Sequence, residues 1–574
     1  MGLASGVDMV VVGVYMVLMV AIGVVMSLFN KSDSDFFKSG NKMPWWLSGI
    51  SLFMTSFSVY TFTGAAGLAW RAPSIALLMY LTNGLALIFS VWFLATRWRR
   101  SRSSTVMSYL TERYGLSTNQ LYSYTHLGMA VLQGGVMLLA LGKFVSVALG
   151  SNLALTIAVC GAVISLYCLI GGLWGVVVTD TLQFMVLFPC ALVVLFLALF
   201  ETGGVGGIIA SSPEGFWSIE TQEFSWAFLL ANAVMMSFAM SSGAAAQRYF
   251  SVKDEKEARK VAWITMILLL IAPVIWLTPP IATRVLGLDL TSITVGLNAP
   301  QEAAYVAFCL KYLPHGAIGI LLAAMLSATM SSLSANFNVY AAVITDDIVR
   351  QVFWKKATPK QLLFLGRVMT LVLGTLVTLA AIAESSAVGG VFILMLTIGG
   401  AVIVPAGIPI IFGLIWRHTP HWAGFASYSA GLIIGILYLL LGKEIKFTDQ
   451  IFYVGGVSAL VYFLPGLFIK ARGRYKESLD AFFKKLATPV SPDEVGDTDS
   501  TDVGSFLITG WTTVGMGLAA MSLALLDLPF AGRLMNFLIS GLMVLFGVFV
   551  LVSCSLAQRR KKKRKPLASA AEAQ

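Results

Sequence analysis

An all-α polytopic membrane protein with about fifteen transmembrane helices is the fold class this sequence predicts, and three observations predict it. Of the 574 residues, 57% are hydrophobic, against roughly 45 to 50% in soluble domains, and 12% are charged, against about 25%. Apolar stretches of about twenty residues, enough to cross a hydrocarbon core of about 30 Å, recur along the chain. Lys and Arg collect in alternate connecting loops. Together these exclude a soluble nucleic-acid binder and a secreted disulfide scaffold.

Taken in order, the apolar segments fall near 8–29, 45–69, 74–96, 120–147, 152–171, 175–199, 226–246, 258–283, 316–345, 362–383, 389–415, 422–441, 451–469, 506–526 and 532–555. The first is not a signal peptide, because Asp8 replaces a basic leader and the run is too long. Cys160, Cys168, Cys190, Cys309 and Cys554 have no C-x-x-C spacing and read as buried small hydrophobes. The four histidines are dispersed, so no metal cluster can be argued from them.

Counting loops in alternation, about 32 of the 39 Lys and Arg lie on one side, which the positive-inside rule makes the cytoplasm. The expected location is the plasma (inner) membrane, with the N-terminus outside and the tail, basic from Arg559 to Lys565, inside. The net charge of +11 thus reports orientation. The expected layout is a first helix and cytoplasmic loop (1–44), a first five-helix repeat (45–200), a second repeat (201–416), two further helices (417–470), a polar cytoplasmic linker (471–505) and a two-helix C-terminal appendix (506–574).

The second and seventh segments carry runs of small and polar residues, Ser51 to Gly67 and Ser237 to Ala246. In lipid an interrupted helix survives only where it lines a cavity or binds something. These two segments are five apart, so the repeats they lead cross the membrane in opposite directions. Discontinuous helices heading inverted repeats point to a secondary transporter with its site near the midplane. The alternative is that Ser, Gly and Ala supply only close packing faces.

The ninth segment places Ala328, Ser331 and Ser332 at i, i+3 and i+4, on one face. Two hydroxyls plus carbonyls from an unwound partner make a weakly charged oxygen cage, suited to a monovalent cation that must bind and leave. The competing reading is that these serines bond back to their own i−4 carbonyls. Asp180 is an acidic residue inside a span, functional by default, with a structural interhelical role as its alternative.

With those residues in view, the sequence resembles the sodium:solute symporter family, which holds sodium-coupled sugar, proline, pantothenate and sialic acid transporters. The resemblance rests on an ordered set: the Ser51 to Gly67 run, Gly171-Gly-Leu through Thr179-Asp180 to Gln183, Gln247-Arg248 with Lys253 to Arg259, Ser327 to Ser332, and Gly413 to Arg417 followed by Gly424. It covers roughly residues 8 to 470. It implies an inverted five-helix-repeat, LeuT-like core with flanking helices, alternating access, and Na+ as the coupling ion. It also implies a sodium site from the carbonyls of Met54, Phe57 and Ala328 with the hydroxyls of Ser331 and Ser332. A second sodium site in some relatives matches Asp180 with Ser331 and Ser334, but Ala335 stands where a further serine is wanted.

The family's substrate positions fall on Ser56, Ser58, Tyr60 and Thr61, with Tyr80 and Asn83 nearby, and Gln133 and Ser242 complete the candidate pocket. Ser242-Gly243 replaces the Asn-Gln pair of sugar transporters, and no arginine occupies the middle of the fourth segment, so neither a sugar pattern nor a carboxylate clamp is present. The expected partners are a small polar solute, sodium and the lipid bilayer, with no nucleic acid. Importing a solute with sodium is the leading function and no enzyme activity is expected; a solute sensor acting through a separate signalling partner is the alternative.

Overall fold

A computed structural model of the chain describes residues 4–27, 43–169, 173–221, 223–291, 299–386, 390–441, 446–469, 472–491, 494, 499–525 and 530–571. Among these the regular structure is entirely helical. Among the described residues ten helices are long and apolar enough to cross a membrane, and Trp45–Thr55 with Val59–Arg71, bent by 53°, passes the same test as a pair. Four shorter apolar helices, Gly6–Ile22, Leu153–Cys168, Trp226–Ala239 and Leu507–Met521, fall in the remaining expected segments.

Both expected interruptions are present. In the second segment Trp45–Thr55 stops, Ser58 caps a short 3-10 turn Val59–Phe62 by accepting from Tyr60 N, and Gly64–Arg71 continues. In the seventh, Trp226–Ala239 ends before Gly243–Ser251 begins, and Gly243 takes φ +48°, a backbone angle that favours glycine.

Helix Ala317–Ala342 is the axis of the molecule, buried along its apolar length and packed against Gly6–Ser27, Leu116–Leu149 and Leu173–Thr202. Trp45–Thr55 packs on Glu255–Val285 and Leu173–Thr202, while Trp226–Ala239 packs on Pro73–Phe89 and Gly390–Phe412. The two interrupted helices therefore occupy equivalent positions, each against the second helix of the other expected repeat and the last helix of its own.

Besides the short helices Val106–Tyr114 and Gly204–Ala210 in stretches read as loops, two elements depart from the sequence reading. The stretch expected to be a polar linker contains a 15-residue helix, Gly473–Ala487, which buries Leu479, Phe482 and Leu486. Those residues recur at i, i+3 and i+7, one face of a helix, which the surrounding charges hid from a reading based on hydropathy. Between the eighth and ninth segments, where no element was expected, a 3-10 turn Pro300–Ala303 leads into Ala304–Tyr312.

Candidate ion and solute site

The break in the second segment faces the serine face of the ninth. Ser332 donates its hydroxyl to the Phe57 carbonyl, and at 3.2 Å to the Ala328 carbonyl as well. Thr329, one residue on, accepts the Val59 N–H at 3.3 Å. Met54 lies fully buried in the last turn before the break. The Ser331 hydroxyl is buried with no hydrogen-bond partner. Back-bonding explains Ser327, which donates to Ala323 O at 2.7 Å, and Ser334, which donates to Ser331 O at 3.1 Å. It does not account for Ser331, and Ser332 reaches across to the second segment. Carbonyl and hydroxyl oxygens with one hydroxyl left over fit a small hard cation.

Asp180 is wholly buried, and its Oδ2 accepts the Ser51 hydroxyl at 2.5 Å. The Arg248 guanidinium lies 3.5 Å from the same oxygen, itself without exposure, and donates from Nε to Ser51 Oγ at 2.9 Å. Asp180 also sits beside Ser331, without an ordinary hydrogen bond closing between Oδ1 and that hydroxyl. Sequence reasoning missed this pairing. The signal was a cation two residues past the small-residue run Ser237 to Ala246, and a buried cation requires a partner.

The eight candidate solute residues converge. Ser56, Ser58, Tyr60, Thr61, Tyr80, Asn83, Gln133 and Ser242 all line one cavity of about 350 Å³, which also takes in Phe57 at the helix break. No Lys, Arg, Asp or Glu lines it. The reading missed His126, Gln247, Asn336 and Tyr340, and a wall of methionines that includes Met79, Met235 and Met395. Methionines in apolar helices carry no periodicity that separates pocket from core. From Tyr60 and Tyr80 the cavity continues toward Met107, Phe250, Val343 and Ile410, near the ends of the helices that adjoin the basic loops.

Phe62, Trp276, Tyr305, Lys143 and Glu302 are buried near the break and do not line the cavity. Phe62 packs edge-on to Tyr305 with ring centroids 5.0 Å apart, and Phe57 lies 4.3 Å from Trp276. Glu302, in the short turn before Ala304–Tyr312, accepts Lys143 Nζ at 2.7 Å and the Val391 N–H at 2.6 Å. Gly390 makes the second contact feasible: its φ is +77°, and a Cβ there would stand 2.4 Å from Glu302 Oε1.

A bundle with an interrupted helix at a cation-sized oxygen cluster, beside a largely apolar cavity that carries a set of uncharged polar side chains, defines a secondary transporter. The sequence profile of the sodium:solute symporter family matches residues 36–431, and the chain belongs to that family. It is a sodium-coupled solute symporter, not an enzyme, and its coupling ion is sodium. Similar proteins include the sodium/myo-inositol cotransporter 2 of Rattus norvegicus, 25% identical over 76% of this chain and 70% of that one. The sodium/mannose cotransporter of Bos taurus is 26% identical over 76% of this chain and 79% of its own length. Among solved structures, the substrate-bound outward-open state of a Na+-coupled sialic acid symporter aligns with a TM-score of 0.71 and 20% identity, covering 82% of this chain and 99% of that one. Mhp1, a nucleobase-cation-symport-1 family transporter in a closed conformation, aligns with a TM-score of 0.51 and 14% identity, covering 79% and 99%. The matched relatives are cotransporters, which favours transport over the sensor reading.

Proposed function

We propose that this symporter imports a small neutral polyhydroxyl solute by alternating access, with sodium held between the second and ninth segments. The observation that carries the reading is the single cavity where all eight hydroxyl, phenol and amide residues meet, directly against the helix break contacted by Ser332. Neutral polar groups bind hydroxyls by matched hydrogen bonds, and a site so built rejects analogues lacking them because its own groups are left unpaired. An organic acid buried there finds no cationic side chain on the wall and has the bound sodium alone as counter-charge, which makes it the less favoured solute. That relatives are named for myo-inositol and mannose agrees with this chemistry.

In this reading the sodium ligands are the carbonyls of Met54, Phe57 and Ala328 and the hydroxyls of Ser331 and Ser332. Sodium replaces the Ser332 hydrogen bond to Phe57 and gives the Ser331 oxygen a partner, fixing the break against the ninth segment. That break also shapes the Ser56 to Thr61 wall of the solute cavity, so ion binding and solute binding share one geometry and stabilise one another. Asp180 and Ser334 form a second cation position in which Arg248 keeps Oδ2 and the ion takes Oδ1.

The fifteen expected segments are read as fifteen crossings, segments two to six and seven to eleven forming inverted repeats. The equivalent packing of the two interrupted helices supports this. With the basic loops cytoplasmic, the cavity faces inward and the Glu302 end is the closed external side. Competition uptake into sodium-free proteoliposomes, driven by sodium added outside, tests the solute: inhibition by polyols and sugars is expected, whereas inhibition by monocarboxylates or amino acids alone would overturn the neutral reading.

A further inference from the structure

We propose that the basic ends of the third and eighth segments form a binding site for the phosphate of an anionic phospholipid. A second cavity, of about 360 Å³, is bounded by Trp92, Phe93, Arg97, Arg259, Leu414 and Phe483, with Arg100 at the same site. Arg97 donates from Nη1 to the Leu414 carbonyl at 2.8 Å, and Arg259 donates from Nε to Thr96 Oγ1 at 3.0 Å. Each guanidinium is thereby anchored by one N–H with others left to donate. Arg100 is neutralised by Glu255 at 2.9 Å, but neither Arg97 nor Arg259 has a carboxylate partner among the described residues.

Two guanidiniums without carboxylate partners on one cavity make it a site for an anion, and their planar forks match phosphate oxygens. The walls select a lipid over a free anion. Trp92 is 64% exposed and Phe93 52% exposed, on the apolar side of the arginines. Charge at the polar boundary with aromatic rings just inside it is the layering of a membrane interface. On the other side, Phe483 and Leu486 of the amphipathic helix Gly473–Ala487 complete the wall. An acyl chain uses the aromatic surface that an inorganic phosphate leaves untouched.

Native mass spectrometry of the purified full chain, supplied with phosphatidylglycerol or phosphatidylcholine, tests this. Phosphatidylglycerol adducts are expected to be retained preferentially, with the preference falling about fivefold for each arginine replaced in Arg97→Gln and Arg259→Gln. Arg367→Gln, which removes an exposed cation elsewhere, should leave it unchanged. Arg259→Gln alone serves if the double variant does not fold. Equal retention of both lipids, or an unchanged preference in the Arg259 variant, would overturn the proposal. So would a rise in melting temperature with inorganic phosphate alone that equals the rise with the lipid, which would make this a free-anion site.

Discussion

Asp8 in the first helix caps the ninth: its Oδ1 accepts the Gly319 N–H at 2.8 Å and the Gly316 N–H at 2.7 Å. A carboxylate at a helix N-terminus satisfies orphan donors and complements the helix dipole. The same first helix bonds the ninth again lower down, where Tyr15 OH and Ser327 Oγ are 2.5 Å apart. Asp8→Ala should therefore lower stability by about 1–2 kcal/mol, seen as a drop in the thermal midpoint. Gly319→Ala should do comparable damage by another route, since its Cβ would stand 2.8 Å from the Asp8 backbone. An Asp8→Ala midpoint equal to the native one would reduce the cap to an incidental contact.

The Asp180 and Arg248 pair makes the second prediction. Both groups are without solvent exposure, so removing either charge alone leaves the other buried and uncompensated, at a cost of roughly 3–5 kcal/mol. Asp180→Asn and Arg248→Gln should each depress the melting temperature and transport. The double variant should recover much of the stability lost, giving a coupling energy well above about 1 kcal/mol. Additive losses would mean the two side chains do not act as a pair. Sodium activation in the double variant then reports on Asp180 as an ion ligand separately from its role in folding.

Sodium affinity is the third. Ser332→Ala removes an oxygen that bridges the Phe57 and Ala328 carbonyls, and Ser331→Ala removes the unpartnered hydroxyl. Each should raise the sodium concentration for half-maximal uptake by roughly tenfold, the worth of one good hydrogen-bonding ligand. Expression and melting temperature without sodium should change little for Ser331→Ala. Unchanged sodium activation in both variants would leave these serines as packing residues.

The fourth concerns sidedness. Ser211 and Ser478 are both exposed, and seven expected segments separate them. Cysteines placed there should react with an impermeant thiol reagent from opposite faces of the membrane. Reaction from the same face would break the alternation on which the fifteen crossings rest.

What the sequence displayed, and what it concealed, follows from the range of the interactions. The break after Thr55 was legible because Ser, Thr and Gly cluster locally, and the Ser331–Ser332 face because helical spacing is local too. The solute residues were legible for the same reason combined with resemblance, and the cavity gathers all of them. Asp180 was visible as a costly charge, but its partner lies 68 positions along the chain, and no periodicity links such a pair. Asp8 was noticed as a break with a leader-like pattern, yet its bond to Gly316 joins residues 308 apart. Lys143 and Glu302 were passed over for this reason, one a single charge in a segment read by average hydropathy and the other in a stretch read as a loop.

That last pair supplies the final prediction. Glu302 holds Lys143 with Oε2 and Val391 N with Oε1, while Gly67 of the second segment packs against its side chain and backbone. One buried carboxylate thus ties together the fourth segment, the start of the eleventh and the second half of the interrupted second helix. In the proposed alternating access, opening the cavity at this end separates those elements, so the contacts belong to the closed arrangement and are lost in the open one. A ligand or bond that differs between two states shifts their populations by its differential energy. Glu302→Gln keeps an acceptor for Val391 N but loses the charge pair, and leaves Lys143 without a counter-ion. Populations should move severalfold toward the arrangement open at the Glu302 end. A cysteine at Ser56, which lines the solute cavity, should then react faster with an impermeant reagent added outside, while native Glu302 keeps it shielded. If Glu302→Gln lowers the melting temperature yet leaves that labelling rate unchanged, the pair stabilises the fold without controlling access.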